Sequence, residues 1–307
     1  MTVPATLPPH IAERVSDVFG GGPVQSVVPL SGGMVNRAAR VNAGGTDLFV
    51  KWHEAAPVAM FASEAAGLET LGEALARAIR VPKVVEVGDD YLFLEWVEPA
   101  APRSPADFTA RFAEGLATLH RTTTRTGHGR EHQPYGFDAN GFIGVLQQAN
   151  TPRVTDWPTF YRDCRLLPQI ELARRRGHLT LSREQALLAI VEQLPELLQD
   201  LPPESCLIHG DLWSGNFLCS RFNNEDTPFI FDPAAYFAHR EVEIAFVELF
   251  GGFPPGFVDA YHGAYPLDTS YARRRSLHQL YPLLVHLNYF GESYGLRVDR
   301  VCQEYLT

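Results

Sequence analysis

Cysteine is scarce in this chain, and so are long runs of any one character. Four cysteines, Cys164, Cys206, Cys219 and Cys302, stand far apart among 307 residues, with no C-x-x-C pair and no Cys/His ligand spacing. That excludes a disulfide scaffold and a zinc site of such spacing, and predicts reduced thiols. No stretch reaches the roughly 18 apolar residues that a membrane span needs. The opening MTVPATLPPHIAERV lacks a charged segment followed by an apolar one, so it does not read as a secretory leader. There is no Lys/Arg block, and 26 Lys and Arg against 36 Asp and Glu leave a net charge of −10. Neither nucleic acid nor an anionic membrane is therefore expected as the main partner, and the cytoplasm is the expected location. Two widespread signatures are missing too, the G-x-x-x-x-G-K-[ST] phosphate loop and the G-x-S-x-G nucleophile elbow.

What is present is enough apolar residue, 45%, for a sizeable core, in a chain too long for one core of ordinary size. Two lobes with a cleft between them are expected. The β-rich stretches SVVPL and RAARV flank Ser31-Gly32-Gly33-Met34-Val35-Asn36, and DLFVKW follows the turn NAGGTD. Pro57 opens a predicted helix to about Arg77, with Phe61, Leu68, Leu71 and Leu75 on one stripe and Glu64 interrupting it. Two more strands, VPKVVEV and YLFLEWV, complete a sheet of about five strands. This first lobe is expected to span residues 1–97 and the second 98–307. The Pro/Ala-rich segment Glu98 to Pro105 marks the boundary, and helices near 106–124, 156–176, 183–200, 240–250, 256–263 and 271–290 follow. Short strands are expected around CLIHGD, NFLCS and PFIFDP, and Gly20-Gly21-Gly22-Pro23 as a loop.

The most informative segment is Leu207-Ile208-His209-Gly210-Asp211-Leu212-Trp213-Ser214-Gly215-Asn216, an apolar strand entering a tight polar loop. Its H-x-D-x-x-x-x-N spacing is that of a kinase catalytic loop. Phosphoryl transfer to a hydroxyl needs a carboxylate to orient the nucleophile and take its proton, and an oxygen ligand for the metal on the phosphates. Asp211 and Asn216 offer those groups, although an Asp there can also simply cap a turn. Sixteen residues on, Asp232 ends the apolar strand Phe229-Ile230-Phe231, where a kinase keeps a second metal-binding carboxylate; an Asp before Pro is equally a turn starter.

Lys51 lies between apolar residues in Leu48-Phe49-Val50-Lys51-Trp52. Each of Lys51 and Glu64 is costly to bury alone, and paired across strand and helix they would hold ATP phosphates; singly, each could snorkel into solvent. The glycines of Ser31, Gly32 and Gly33, with Asn36, would let backbone amides approach phosphate, though many hairpins turn on Gly-Gly for purely structural reasons. Glu95, Trp96 and Val97 leave the first lobe and can pair their backbone with an adenine edge, or form an ordinary edge strand. Trp213 is a candidate platform for the substrate, or a core residue between lobes, and His209 is a second candidate substrate contact.

Read together, these residues resemble the fructosamine kinase family, a branch of the aminoglycoside-phosphotransferase-like kinases. The likeness covers most of the chain. It includes Ser31-Gly32-Gly33, Phe49-Val50-Lys51, Ser63-Glu64-Ala65-Ala66-Gly67-Leu68, Tyr135-Gly136-Phe137-Asp138 with Asn140 and Ile143-Gly144, and Arg165-Leu166-Leu167-Pro168-Gln169. Downstream it takes in Asp232-Pro233, His239-Arg240-Glu241, Glu248-Leu249-Phe250-Gly251-Gly252-Phe253 and Tyr281-Pro282-Leu283-Leu284; the Leu212-Trp213-Ser214 centre of the loop is its most specific element.

The resemblance implies an α+β protein-kinase-like fold, with a small antiparallel sheet and one helix in the first lobe and a larger, mainly helical second lobe. It implies ATP-dependent phosphorylation of the sugar 3-hydroxyl of ketosamines, which promotes deglycation. By position, Asp211 would be the base, Asn216 and Asp232 would bind Mg2+, Lys51 and Glu64 would hold ATP, and Glu95 and Val97 would supply hinge contacts. Met34 and Glu243 depart from residues common in the family. Met34 removes any thiol switch at that turn, and Glu243 keeps the charge with one more methylene. A kinase for an aminoglycoside, choline or another sugar, and a nucleotide-binding module without catalysis, are the alternatives; a monomer is the expected state.

Overall fold

The structure is a computed structural model and describes residues 7–30, 35–75, 78–126 and 134–306. Ser31, Gly32, Gly33 and Met34 lie outside the described residues.

The first lobe is built on a five-stranded antiparallel sheet in the order β1-β2-β3-β5-β4. Its strands are β1 (Val24–Leu30), β2 (Arg37–Ala43), β3 (Thr46–Trp52), β4 (Val84–Val87) and β5 (Tyr91–Glu95). β2 and β3 join through Gly44 and Gly45, both at positive φ (59° and 80°). A two-residue hairpin turn that follows the sheet's twist needs that conformation at both positions. Alternation along β3 and β5 divides the side chains between two faces. Leu48, Val50 and Phe93 pack with Ile11 and Val15 of α1 (Pro9–Val18), a helix the sequence reading leaves unassigned. Leu92 and Leu94 face the other way, toward Met60, Phe61 and Leu68 of α2 (Met60–Ala74). Lys51 shares the parity of Phe49 and so belongs to the α2 side. α2 starts three residues later than Pro57 predicts, because Ala59 adopts a left-handed conformation (φ 66°) immediately before it.

β5 ends at Glu95, so Trp96 and Val97 leave the sheet earlier than expected. The second lobe opens with α3 (Pro105–Thr123), whose first turn is capped by the Ser104 hydroxyl accepting from Asp107 N. A three-stranded sheet follows, with β9 (Glu204–Ile208) between β12 (Tyr236–Ala238) and β6 (Arg125–Thr126). Two hairpins flank it: β7 (Gly141–Ile143) with β8 (Leu146–Gln148), and β10 (Phe217–Phe222) with β11 (Glu225–Ile230).

The helix predicted at 156–176 is one helical run in three parts, α4 (Trp157–Phe160), a π-helical stretch Tyr161–Leu166, and α5 (Leu167–Arg175). The wide turn brings Arg165 fully inside, its guanidinium 3.8 Å from the Tyr236 ring centre and donating to Asn150 Oδ1 at 2.8 Å. The remaining helices are α6 (Leu181–Leu197), α7 (Glu241–Phe250), α8 (Phe257–Ala264), α9 (Tyr271–Phe290) and α10 (Gly295–Leu306). Among the described residues no helix is long and apolar enough to cross a membrane.

Candidate active site

β9 is buried along its whole length and delivers His209, Gly210 and Asp211 at its carboxyl end. The chain can turn there because position 210 is glycine. Gly210 has φ +81°, and an added Cβ would stand 2.2 Å from the Ala234 carbonyl oxygen. Ala234 N in turn donates to His209 O at 2.9 Å, tying the loop to the segment after Asp232.

His209 does not meet the expectation of a substrate contact. It is fully buried, its Nε2 donates to Phe231 O (2.9 Å), and its Nδ1 accepts from Asp211 N (3.3 Å). Burial lowers its pKa, so the ring is neutral and both nitrogens serve the loop. Glu243, which the sequence flags only as a departure, proves to grip the same backbone: its two oxygens accept from His209 N (3.0 Å) and Gly210 N (2.8 Å). His120 Nε2 adds a third contact at 3.1 Å, and His120 Nδ1 pairs with the Tyr261 hydroxyl at 2.7 Å. Burial alone would raise the Glu243 pKa, but His120 and the backbone donors outweigh it and hold the carboxyl below its ordinary value. The available sequence signal is the pair of acids Glu241 and Glu243 at the head of EVEIAFVELF, among residues apolar enough to be buried, where they must find partners inside.

Asn216 closes the loop. Its Nδ2 donates to Asp211 O (2.9 Å) and Asp211 Oδ2 (3.2 Å) and reaches Asp232 O at 3.5 Å, which leaves Oδ1 as its ligand atom. Asp232 sits at φ 56°, a conformation rare for a residue other than glycine. Phe231 N, donating to Asn216 O at 3.0 Å, and Ala234 N hold the backbone on either side of it. Such held strain collects at functional positions.

Across the cleft, Lys51 Nζ donates to both Glu64 oxygens (3.0 and 2.9 Å) and lies 3.1 Å from Asp232 Oδ1. Gly67, one turn after Glu64, lets α2 pack on the loop: a Cβ there would stand 3.3 Å from both Pro233 and Ala235. The predicted Lys51–Glu64 pair is therefore formed, and Asp232 joins it. Burial works against the Lys51 charge, but Asp232 and Glu64 outweigh it and hold its pKa above the ordinary value. Burial, reinforced by Asp232, pushes Glu64 up. Asp211 is pushed up to about 8, first by burial and then by Asp232. Three carboxylates thus face one ammonium.

Trp213 lies half-buried over Gly215 of its own loop, where a Cβ would stand 2.3 Å from the indole. At the lobe connection, Glu95 N donates to Lys83 O (2.9 Å), Trp96 Nε1 donates to Glu98 Oε2 (2.7 Å), and Arg40 covers the indole at 4.6 Å. Asn36 Oδ1 is buried without a hydrogen-bond partner among the described residues. A second group with metal-ligand chemistry, His239, Glu241 and His278, is buried in the second lobe. Arg274 occupies both Glu241 oxygens at 2.9 and 2.6 Å, which makes this an ion-paired core cluster.

Comparison with known proteins agrees with this arrangement. The fructosamine kinase family model matches residues 8–307. A chain from Enterococcus faecium assigned as a ketoamine kinase is 34% identical over 283 residues, covering 91% of this chain and 95% of the relative. The chloroplastic protein-ribulosamine 3-kinase of Arabidopsis thaliana is 32% identical over 297 residues, covering 92% and 83%. Among solved structures, one from Thermobifida fusca assigned as a fructosamine-3-kinase superposes with a TM-score of 0.80 at 34% identity, covering 96% and 97% of the two chains. An aminoglycoside phosphotransferase solved with ADP and hygromycin B shares the fold at 16% identity, with a TM-score of 0.61 over 97% and 99%. The fold is protein-kinase-like, and the chain belongs to the fructosamine kinase family, ATP-dependent phosphotransferases that act on a hydroxyl group of ketosamines.

Proposed function

We propose that this protein transfers the γ-phosphoryl group of ATP to the sugar 3-hydroxyl of a ketosamine, with Asp211 as the base. The observation that carries the residue roles is the charge balance of the cleft. Among the described residues, Lys51 alone offers a positive charge to Glu64, Asp232 and Asp211, and the Asp211 carboxyl is pushed up to about 8, first by burial and then by Asp232. A divalent cation fits that deficit: Asp232 and Asn216 would hold it through their side-chain oxygens, and its charge would restore Asp211 to an ionised base.

Bound Mg2+ supplies neutralisation of the phosphate charge. The chain's own residues do the rest. Lys51, held by Glu64, binds the phosphate oxygens, and the backbone amides of Ser31, Gly32 and Gly33, with Asn36, are assigned to the same group. Glu95, Trp96 and Val97 offer backbone to the adenine edge. Asp211, fixed through Asn216 and through the Glu243 clamp on His209 and Gly210, accepts a hydrogen bond from the sugar hydroxyl and takes its proton as the new P–O bond forms. Trp213 presents its ring to the sugar or its amine. We place the protein in the cytoplasm on its four unpaired thiols.

The test is ADP release from Mg–ATP with fructosyl-, ribulosyl- and erythrulosyl-lysine, with aminoglycosides and choline alongside. Turnover confined to ketosamines is expected; silence on all three with turnover elsewhere would discard the acceptor assignment. Asp211→Asn should lower kcat by about a thousandfold while leaving Mg–ATP binding near the native value, since proton acceptance acts in the transition state. Undiminished turnover in that variant refutes the base.

A further inference from the structure

The β7–β8 hairpin, Gly141 to Gln148, belongs to the core of neither lobe alone. Its side chains part by position. Phe142 and Val145 pack with Met60, Phe61 and Leu68 of the first lobe, whereas Ile143 and Leu146 are buried with Ile208, Tyr236 and Tyr281 beneath the catalytic loop. Gly141 runs beside α2 next to the residue preceding Glu64: a Cβ on it would lie 3.8 Å from the Ser63 hydroxyl. A hairpin with strands of three residues has little stability of its own, so what pins it decides where it sits.

The pin is the Tyr289 hydroxyl on α9. It donates to Ile143 O at 2.9 Å and accepts from Val145 N at 2.7 Å and Leu146 N at 3.2 Å. One donor and two lone pairs are all used. Gly144 turns at φ +61° directly over it, and a Cβ there would meet Tyr289 Oη at 2.3 Å and Val35 Cγ2 at 3.6 Å. Val35 stands two residues before β2 of the first lobe. The tip is thus enclosed by α9 on one side and Val35 on the other.

We propose that Tyr289 is a positioning residue for the transfer step: by fixing this hairpin to α9 it sets the height of α2, and with it Glu64 and Lys51, above Asp211. The inference rests on the kinase reading of those residues. Nothing in it requires Tyr289 to touch substrate, because the lever is the hairpin packed between the two lobes.

Tyr289→Phe keeps the ring and removes the pin. Amide hydrogen exchange should quicken about tenfold or more in residues 141–148 and in α2, with α6 and α10 unchanged; kcat should fall about tenfold, with the ketosamine KM changed by less than about threefold. Phe142→Ala, which detaches the hairpin from the first lobe instead, should lower kcat similarly, and the double variant should lose little more than either single one. Faster exchange confined to the hairpin, with kcat held within about twofold, or losses that multiply in the double variant, would overturn the proposal. If Tyr289→Phe does not fold, Phe142→Ala carries the same measurements, with quickened α2 exchange and reduced kcat expected. A wild-type protein inactive on every ketosamine would sink the proposed substrate, while the exchange of α2 would still decide the role of the pin.

Discussion

At the scale of single residues the site depends on where a side chain is absent as much as on where one is charged. Gly210 combines a left-handed backbone with an approach to Ala234 O that no Cβ survives. Gly210→Ala should cost about 1–3 kcal/mol from backbone strain alone, with the clash adding to it. Urea unfolding would measure the cost, and unaltered stability would show that the loop can relax. Because His209 and Asp211 flank the strained position, turnover should fall with stability. That Asp211 and Asn216 lie together was legible in the spacing of their loop, and the contact of Lys51 with Glu64 in the cost of burying either charge alone. Glu243 and the burial of His209 were not, because their partners are backbone amides and a helix far along the chain. A sequence shows that a buried acid needs a donor, but not which one it finds.

At the scale of elements the helices with strong termini were read well. α3 begins within one residue of its predicted start because Ser104 and Pro105 announce it. Ser104→Ala should cost about 1 kcal/mol of stability and leave kcat unchanged, since its hydroxyl serves the first turn of α3 rather than a site residue; a thermal melt beside an activity assay separates the two. α10 goes unassigned in the sequence reading although its buried Gly295, Val298, Val301 and Cys302 recur at helical spacing, whereas the three-residue strands of the β7–β8 hairpin are too short for periodicity to show and are made by tertiary packing. The run from Trp157 to Arg175 was recognised as helical, but the π-helical stretch that turns Arg165 inward leaves no local signature. It exists because three aromatic rings, those of Phe160, Tyr236 and Tyr281, surround the guanidinium at 3.8 to 5.4 Å.

At the scale of the whole molecule, a buried histidine of the second lobe makes stability depend on acid. His239 is buried among Glu204, Glu241, His278, Arg240 and Arg274, and its pKa is pushed down to about 3, chiefly by burial. The unfolded chain takes up that proton near pH 6.5, the folded one does not, so the His239 contribution to stability is full above about 6.5 and falls as the pH drops toward 3. The loss should reach roughly 2 kcal/mol by pH 5. Glu241 adds a later loss: burial opposes its charge, but Arg274 and His278 hold its pKa well below the ordinary value, so this contribution fades only below about pH 4.5. His239→Gln should flatten the dependence of Tm between pH 7 and 5, and an unchanged slope would remove His239 as its source. The four thiols set a different kind of consequence. Cys164, Cys206, Cys219 and Cys302 are all buried, and burial raises the pKa of each, that of Cys302 to about 12. A folded molecule therefore offers an alkylating reagent almost no thiolate, and an unfolded one offers four. Maleimide uptake becomes a clock for the opening of the chain, readable without any substrate, and a protein of a family that acts on sugar adducts leaves none of its four thiols exposed to reactive carbonyls.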